Sequence, residues 1–341
     1  MTDPTGTVRF GIIGCGDIAY WAHLRSLKSL KQANLVAVAD PDAAARERAR
    51  RLTGAEAYDD SSRLLRRVDV EAVIISAPTH LHAPLAIASA RAGKHVYIEK
   101  PIATTLEDAS RVAAAVERAG VRAVMGFNRR FHPLYRQART LLADAAIGAV
   151  RSVLSTFAEP PPAGGMPAWK RSRASGGGVL LDLASHHIDL MRWFLDDEVD
   201  ETHAVVASVQ TEHDQAWLRL RMRGGVEVQS YFSFAAGPAD FVEFIGERGT
   251  LRVDRHRPTV SLRMPRRVGY GVRVAFPVPP LDVCRWWPVR LVRPSSEPSY
   301  ALALAAFVDA IRGGKTDLAS LDDGLRSLEV VLAAERSRCA S

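Results

Sequence analysis

Four residues in this chain stand at spacings that suit proton and charge transfer: Lys100, Asp182, His186 and, three residues on, Asp189. Lys100 is preceded by Val96-Tyr97-Ile98-Glu99 and followed by Pro101, so an apolar run ends in a carboxylate, an amine and a proline. Such a run reads as a buried strand. Proline pushes the residue before it into extended geometry, which makes Lys100 leave the sheet at a fixed angle. Only six of the 45 basic residues are lysine. In a chain that so prefers arginine, a lysine at a strand exit is wanted for its compact, tunable ammonium, although a surface lysine capping a strand also fits this stretch taken alone. Asp182 and His186 are four apart on a helical pattern over 179–194, so they share a face. A carboxylate that orients an imidazole is the usual companion of a histidine that moves protons. An ordinary surface pair and a metal site compete with that reading. No third ligand stands at a telling spacing, and no metal is expected.

The elements that must hold Lys100 begin at the N-terminus. Residues 9–13 read as a short strand, followed by Gly14-Cys15-Gly16-Asp17-Ile18-Ala19 and a helical pattern to about residue 30. In a G-x-G-x-x-A turn the first glycine permits the tight turn and the second lets backbone approach a pyrophosphate. The small Ala19 lets the helix lie on the sheet. The helix N-terminus, reached through Asp17 and Ile18, favours the anion. A second strand over 34–39 ends in Asp40, where an acid accepts hydrogen bonds from an adenosine ribose. Strand, turn, helix, strand and acid in order mark a dinucleotide site. Asp40 would repel a 2′-phosphate, which favours NAD over NADP; Arg46 and Arg48 are either helix-surface charges or acceptors of that phosphate.

Helices over 42–53, 61–68, 81–92 and 105–119 then alternate with strands over 72–76, 95–98 and 122–126. That alternation means βαβ units and a parallel sheet, a doubly wound domain closing at residue 127. Ser76, Thr79 and His82 leave the strand over 72–76 on the edge where Lys100 emerges, within reach of a cofactor. Thr79 serves equally well as the cap of the next helix.

From Asn128 the texture changes. A helix over 134–143 and a strand over 150–158 lead into a proline- and glycine-rich loop over 160–178 that contains Trp169 and Lys170. Loops this long are functional or disordered. Strands follow over 202–209, 216–222, 226–234, 240–245, 251–254 and 259–264, separated by turn signals. Successive hairpins imply a mostly antiparallel sheet, with a helix over one face and a partner subunit over the other. Residues 265–298 carry Arg266, Arg267, Arg273, Arg285, Arg290 and Arg293, which read as solvated or interface charges, or as phosphate ligands. Two helices over 299–312 and 320–338, split by Gly313-Gly314, close the chain.

A chain of 341 residues exceeds what one core usually reaches, and two domains, 1–127 and 128–341, are expected. The formal charge of +7 is spread along the chain without a nucleic-acid reading motif, so nucleic acid is not an expected partner. Cys15, Cys284 and Cys339 form no CxxC pair, which fits a reducing compartment. No signal peptide or membrane-spanning run is visible, so a cytoplasmic location is expected.

Taken together, Gly14-x-Gly16-x-x-Ala19, Glu99-Lys100-Pro101, Gly126-Phe127-Asn128-Arg129-Arg130-Phe131 and Asp182-x-x-x-His186-x-x-Asp189 resemble the Gfo/Idh/MocA family of dinucleotide-dependent oxidoreductases. The resemblance spans nearly the whole chain. It implies an N-terminal Rossmann domain, then an α/β domain with a large, mostly antiparallel open sheet, and homodimers or homotetramers built through that sheet. Substrates of the family are mostly sugars, cyclitols and their activated derivatives.

The expected chemistry is hydride transfer between nicotinamide and a secondary carbinol. His186 takes the hydroxyl proton, Lys100 hydrogen-bonds the oxygen and Asp182 orients the imidazole. Glu99 serves the cofactor ribose or the placement of the lysine, while Asn128, Arg130 and Lys170 are candidates for substrate contact. A glycosidase acting by transient oxidation and a non-catalytic NAD-binding regulator are the alternatives.

Overall fold

The computed structural model describes residues 6–161, 164–257, 259–265, 272–275 and 297–337. Two compact units emerge, Met1–Asn128 with Ser299–Leu328, and Arg129–Pro298 with Glu329–Ser341. In the first unit, strands β1 (Val8–Ile13), β2 (Ala33–Ala39), β3 (Glu56–Tyr58), β4 (Ala72–Ile75), β5 (His95–Ile98) and β6 (Ala123–Met125) form one sheet in the order β3-β2-β1-β4-β5-β6. Every neighbouring pair is parallel. Phe10, Ile12, Ile74, Ile75, Val96, Tyr97 and Ile98 are fully buried, as strands covered on both faces require.

Helices α1 (Leu24–Ser29), α2 (Ala43–Thr53), α3 (Ser61–Leu65), α4 (His82–Arg91) and α5 (Leu106–Ala119) connect them. Three begin on side-chain caps: Asp42 accepts from Ala44 and Ala45, Asp60 from Ser62, and Thr105 from Asp108. A single row, Ile13, Ile75, Ile98 and Met125, pairs across β1, β4, β5 and β6. The next residue on each strand, Gly14, Ser76, Glu99 and Gly126, therefore stands at the same carboxyl edge. That edge contains the point between β1 and β4 where the strand order reverses, the place where open α/β sheets bind ligands.

The second unit has helix α6 (Pro133–Ala143), strand β7 (Val150–Ala158), helix α7 (Ser185–Leu195) and strands β8 (Val199–Ala207), β9 (Gln215–Met222), β10 (Glu227–Ser233), β11 (Ala239–Gly246), β12 (Thr250–Asp254), β13 (Thr259–Pro265) and β14 (Val272–Ala275). They form one sheet in the order β14-β13-β12-β11-β7-β10-β9-β8. The sheet departs from a plain series of hairpins. β7 sits between β10 and β11, antiparallel to β11 and parallel to β10. A strand arriving before all the others thus becomes central, and β14 is an edge strand that the sequence pattern did not reveal. One face buries rows such as Leu220, Val228, Val153, Phe244 and Leu251, with Phe194 of α7 edge-on to Phe244 at 5.1 Å between ring centroids. The other face carries the row Trp217, Tyr231, Thr156 and Phe241.

Helix α8 (Pro298–Ile311) follows the second sheet in sequence, yet residues 299–328 belong to the first unit. Phe307 packs 6.2 Å from Phe10 and 5.9 Å from Tyr97, and Met125 of β6 donates its backbone N–H to Ala319. The returning segment thereby covers β6, an otherwise open sheet edge. Helix α9 (Leu321–Ser337) starts in the first unit and ends in the second. A single boundary at residue 127 leaves out this return, because an amphipathic helix does not announce in sequence which sheet it will cover. No helix among the described residues is long and apolar enough to cross a membrane. Arg266, Arg267, Arg285, Arg290 and Arg293 lie outside the described residues, as does the side chain of Arg273.

Candidate active site

The glycine turn in the first unit is built against two neighbours. Gly14 has φ +93°, and a Cβ there would lie 2.5 Å from Ala77 N and 2.7 Å from Ser76 O, so no side chain is tolerated. Ser76 Oγ donates to Gly14 O at 2.8 Å and Gly14 N to Ala39 O at 2.9 Å. Gly16 differs, because a Cβ there would meet nothing within 4 Å. Its backbone faces open space, as a pyrophosphate-approaching glycine needs. Ala19 is fully buried, which lets the helix lie close on the sheet. Cys15 is buried too, and its thiol is pushed up to about 12 by burial and by Asp40, so it remains a neutral packing group.

Asp40 closes the turn from β2. Its Oδ2 accepts Cys15 N–H at 2.6 Å and its Oδ1 accepts Asp42 N–H at 2.8 Å. Arg46 Nη1 donates to the carbonyls of Asp40 and Pro41 at 2.6 and 3.1 Å. Arg48 Nη2 reaches Cys15 O at 3.4 Å and lies 3.6 Å from the Asp17 carboxylate. Arg46 therefore braces the loop around the acid, while Arg48 lies half-exposed beside the glycine turn. Ile18 and Asp17 remain exposed at the start of the helix.

Lys100 leaves β5 half-buried, and the Lys100–Pro101 bond is cis. Behind it Glu99 is buried. Its Oε1 lies 2.8 Å from His23 Nε2, and its Oε2 accepts Lys100 N–H at 3.3 Å. His82 is buried with Nδ1 2.7 Å from Pro101 O and Nε2 2.9 Å from Ala77 O. Its ring ties the loop after β4 to the loop after β5. Burial pulls its pKa below the usual imidazole range against those two carbonyls. Thr79 opens a 3-10 turn, Thr79–Leu81, and is buried; no side chain caps α4, so the capping alternative is not what the fold uses. Asn128 Nδ2 donates to Ser299 Oγ at 2.7 Å, within the same unit.

In the second unit the pattern over 179–194 is not one regular helix. It opens with a π turn, Leu180–Ala184, and continues as α7. Such turns insert an extra residue and are frequent at functional sites. Asp182 lies in the π turn and His186 in the first turn of α7; both are buried. Lys170 Nζ pairs with Asp182 Oδ2 at 2.6 Å. The loop holding Lys170 is pinned at Gly177, where a Cβ would come within 2.2 Å of Lys170 O. Asp189 receives a two-pronged pair from Arg130, Nε to Oδ2 at 2.9 Å and Nη2 to Oδ1 at 2.5 Å, both side chains buried. The motif's second aspartate is thus spent on anchoring α7 to the Arg129-Arg130 segment.

His187, on the core side of α7, packs edge-on to Phe232 at 5.3 Å. Burial holds it down at about 3, with Arg129 adding in the same sense. Beside it Arg129, stacked 3.8 Å over Phe157, pairs with Asp240 at 3.3 Å, and Arg255 pairs with Asp240 at 2.7 Å. Among the described residues no group of three histidine, cysteine or acidic side chains is arranged to hold a metal ion.

Sequence reasoning brought out Lys100, Asp182 and His186 and missed His23 and the partner of Asp189. A signal for His23 existed: it lies on the apolar stripe with Ala19, Ala22 and Leu27, and a polar group there must find a buried partner.

Residues 8–127 match the family model for the oxidoreductase family with an NAD-binding Rossmann fold, and 135–252 match the GFO/IDH/MocA C-terminal domain. The chain is 31% identical over 342 residues to inositol 2-dehydrogenase of Rhizobium meliloti, covering 97% of each protein. Its fold is similar to the WlbA dehydrogenase from Bordetella pertussis in complex with NADH and UDP-GlcNAcA, with a TM-score of 0.83, 25% identity and coverage of 98% and 96%. It is also similar to KijD10, a 3-ketoreductase from Actinomadura kijaniata in complex with NADP and TDP-benzene, with a TM-score of 0.82, 26% identity and coverage of 97% and 98%. With a glycine turn, an edge acid and a strand-exit lysine on one parallel sheet, and both family models matched in order, the chain belongs to the Gfo/Idh/MocA family of NAD(P)-dependent oxidoreductases.

Proposed function

We propose that this protein is an NAD-dependent dehydrogenase of a secondary carbinol on a cyclitol, a sugar or a nucleotide-linked sugar, and that in reverse it reduces the corresponding ketone. The observation that carries this reading is the in-register ending of β1, β4 and β5. It puts the glycine turn, the Ser76 loop and Lys100 on one sheet edge, two strand spacings or about 10 Å across. The named activities of the relatives support the substrate class.

The nicotinamide, when bound, supplies the two-electron acceptor or donor. Lys100 donates a hydrogen bond to the carbinol oxygen and stabilises the negative charge that develops there. His186 accepts the hydroxyl proton, and Asp182 orients its ring. Lys170, paired with Asp182, holds the preceding loop against the histidine helix and contributes to substrate contact. Gly14, Gly16, Asp17, Ile18, Ser76 and Thr79 frame the dinucleotide turn, with Asp40 facing the adenosine ribose. Arg46 is held by the carbonyls of Asp40 and Pro41, which with the Asp40 carboxylate supports NAD over NADP. His82, Glu99, Arg130 and Asn128 act by positioning. The protein works in the cytoplasm as a homodimer or homotetramer joined through the aromatic face of the second sheet.

The test is a panel of free cyclitols, free sugars and nucleotide-linked sugars, each with NAD and with NADP, read by nicotinamide absorbance. Net reduction of NAD by at least one carbinol is expected, with NADP at least about 10-fold poorer in kcat/KM. Hydrolysis of a glycoside without net reduction would overturn the dehydrogenase reading.

A further inference from the structure

Asp17 puts a carboxylate into the first turn of the helix whose N-terminus suits a pyrophosphate. An acid there complements the helix dipole but repels an incoming anion. Arg48 of α2 answers that charge: its Nη2 lies 3.6 Å from Asp17 Oδ1 and donates to Cys15 O at 3.4 Å. Its own helix offers Arg48 no acid, because the positions three and four residues away are Ala44, Ala45, Arg51 and Leu52. The adjacent Glu47 is taken by Arg50 and Arg51 at 2.6 to 2.9 Å. Asp40, the other acid of the turn, is engaged by the backbone N–H groups of Cys15 and Asp42. Tyr20, the residue after the fingerprint, has the Arg48 guanidinium 4.5 Å from its ring centroid, which holds the cation beside the turn.

We propose that Arg48 sets the affinity of the dinucleotide turn: it neutralises Asp17 at the helix N-terminus and adds a cation on the side of the turn that receives the pyrophosphate. Charges that share one helical turn lie within the roughly 8 Å over which physiological salt leaves them in contact. Asp17 and Arg48 are 67% and 42% exposed, and a pair so open to solvent adds little to folding. Its charges act instead on what binds beside it. The inference rests on the reading of Gly14 to Ala19 as a dinucleotide site.

The test is equilibrium binding of NADH and of NADPH to the intact protein by fluorescence titration, with no substrate and no turnover. Arg48→Met keeps the stem and removes the charge; it is expected to weaken NADH binding about 3- to 10-fold, the scale of one partly screened charge. Arg48→Lys keeps the charge and is expected to stay within about 2-fold of the parent. Asp17→Asn is expected to bind at least as tightly as the parent. Added to Arg48→Met, it is expected to recover most of the loss, the mark of two coupled charges. The loss in Arg48→Met should also shrink as salt rises from about 0.05 to about 0.5 M. Parental affinity in Arg48→Met, a double variant no better than Arg48→Met, or a loss that salt leaves untouched would overturn the proposal. So would a loss confined to NADPH, which would place the guanidinium at the 2′-phosphate. If the parent itself binds neither nucleotide, the dinucleotide reading fails and takes the inference with it, an outcome that no difference between variants can imitate.

Discussion

At the scale of single residues, Lys100 is supported from behind by Glu99 and from beside by His82, whose ring joins Ala77 to Pro101. Its ammonium is the one part of this arrangement assigned to chemistry. Replacing it with methionine keeps the stem and its packing while removing the donor. Lys100→Met is expected to lower kcat by about 10² to 10³, the scale for losing one donor to a developing oxyanion. NAD affinity, measured by nucleotide fluorescence titration, should stay near that of the parent. A variant with parental turnover on the true substrate would remove Lys100 from the mechanism.

The residues proposed to do chemistry stand out in the sequence because their types and spacings are local: a lysine before a proline, and an acid and an imidazole one turn apart. Their supports were not. His23 and Glu99 are 76 residues apart and Arg130 and Asp189 are 59 apart, and no periodicity encodes which buried charge meets which. Glu99, read as ribose-binding or lysine-placing, has both carboxylate oxygens engaged inside its own unit.

At the scale of elements, five of the six strands and the helices α1 to α5 of the first unit followed from apolar runs, whereas the three-residue edge strand β3 did not, being too short to show a pattern. The π turns at Ala19–His23 and Leu180–Ala184 did not, since both continue an unbroken apolar helical pattern. The position of β7 between β10 and β11 was equally hidden, because hairpin signals speak only for neighbours in sequence.

Helix α7 and the cap of α6, His132, whose Nδ1 accepts Leu134 N–H at 3.2 Å, carry a consequence for pH. Burial holds His187 at about 3 and His132 at about 4, both below the ordinary 6.5 of an unfolded histidine. The unfolded chain therefore binds protons that the folded chain refuses. The stability linked to each ring is fully present above about pH 6.5 and is lost as pH falls toward about 4 for His132 and about 3 for His187. Each contributes a slope of up to about 1.4 kcal/mol per pH unit. His187→Leu is expected to remove one proton's worth of that slope in denaturant unfolding measured across this range. An unchanged slope would mean that His187 is protonated inside the fold.

At the scale of the whole molecule, the open face of the second sheet presents Trp217, half exposed and 5.2 Å from Tyr231, in a row that continues to Phe241. Arg252 lies 3.8 Å over the Phe241 ring. An aromatic row on one face of a wide sheet suits a second copy of the same surface. If the proposed oligomer forms through this face, Trp217→Glu is expected to reduce the molar mass in light scattering toward that of a monomer, and an unaltered mass would exclude this face as the joint.

The return of residues 299–328 to the first unit has a consequence in time. A ribosome finishes the dinucleotide-binding sheet early, but the Phe307 surface that seals Phe10 and Tyr97 emerges only after the whole second sheet has been made. While the second sheet is being made, the nascent first unit carries a bare aromatic flank and an unsealed β6. The order of synthesis thus leaves its completion until the second sheet has been made, and the newborn polypeptide spends that interval in need of shelter from its neighbours.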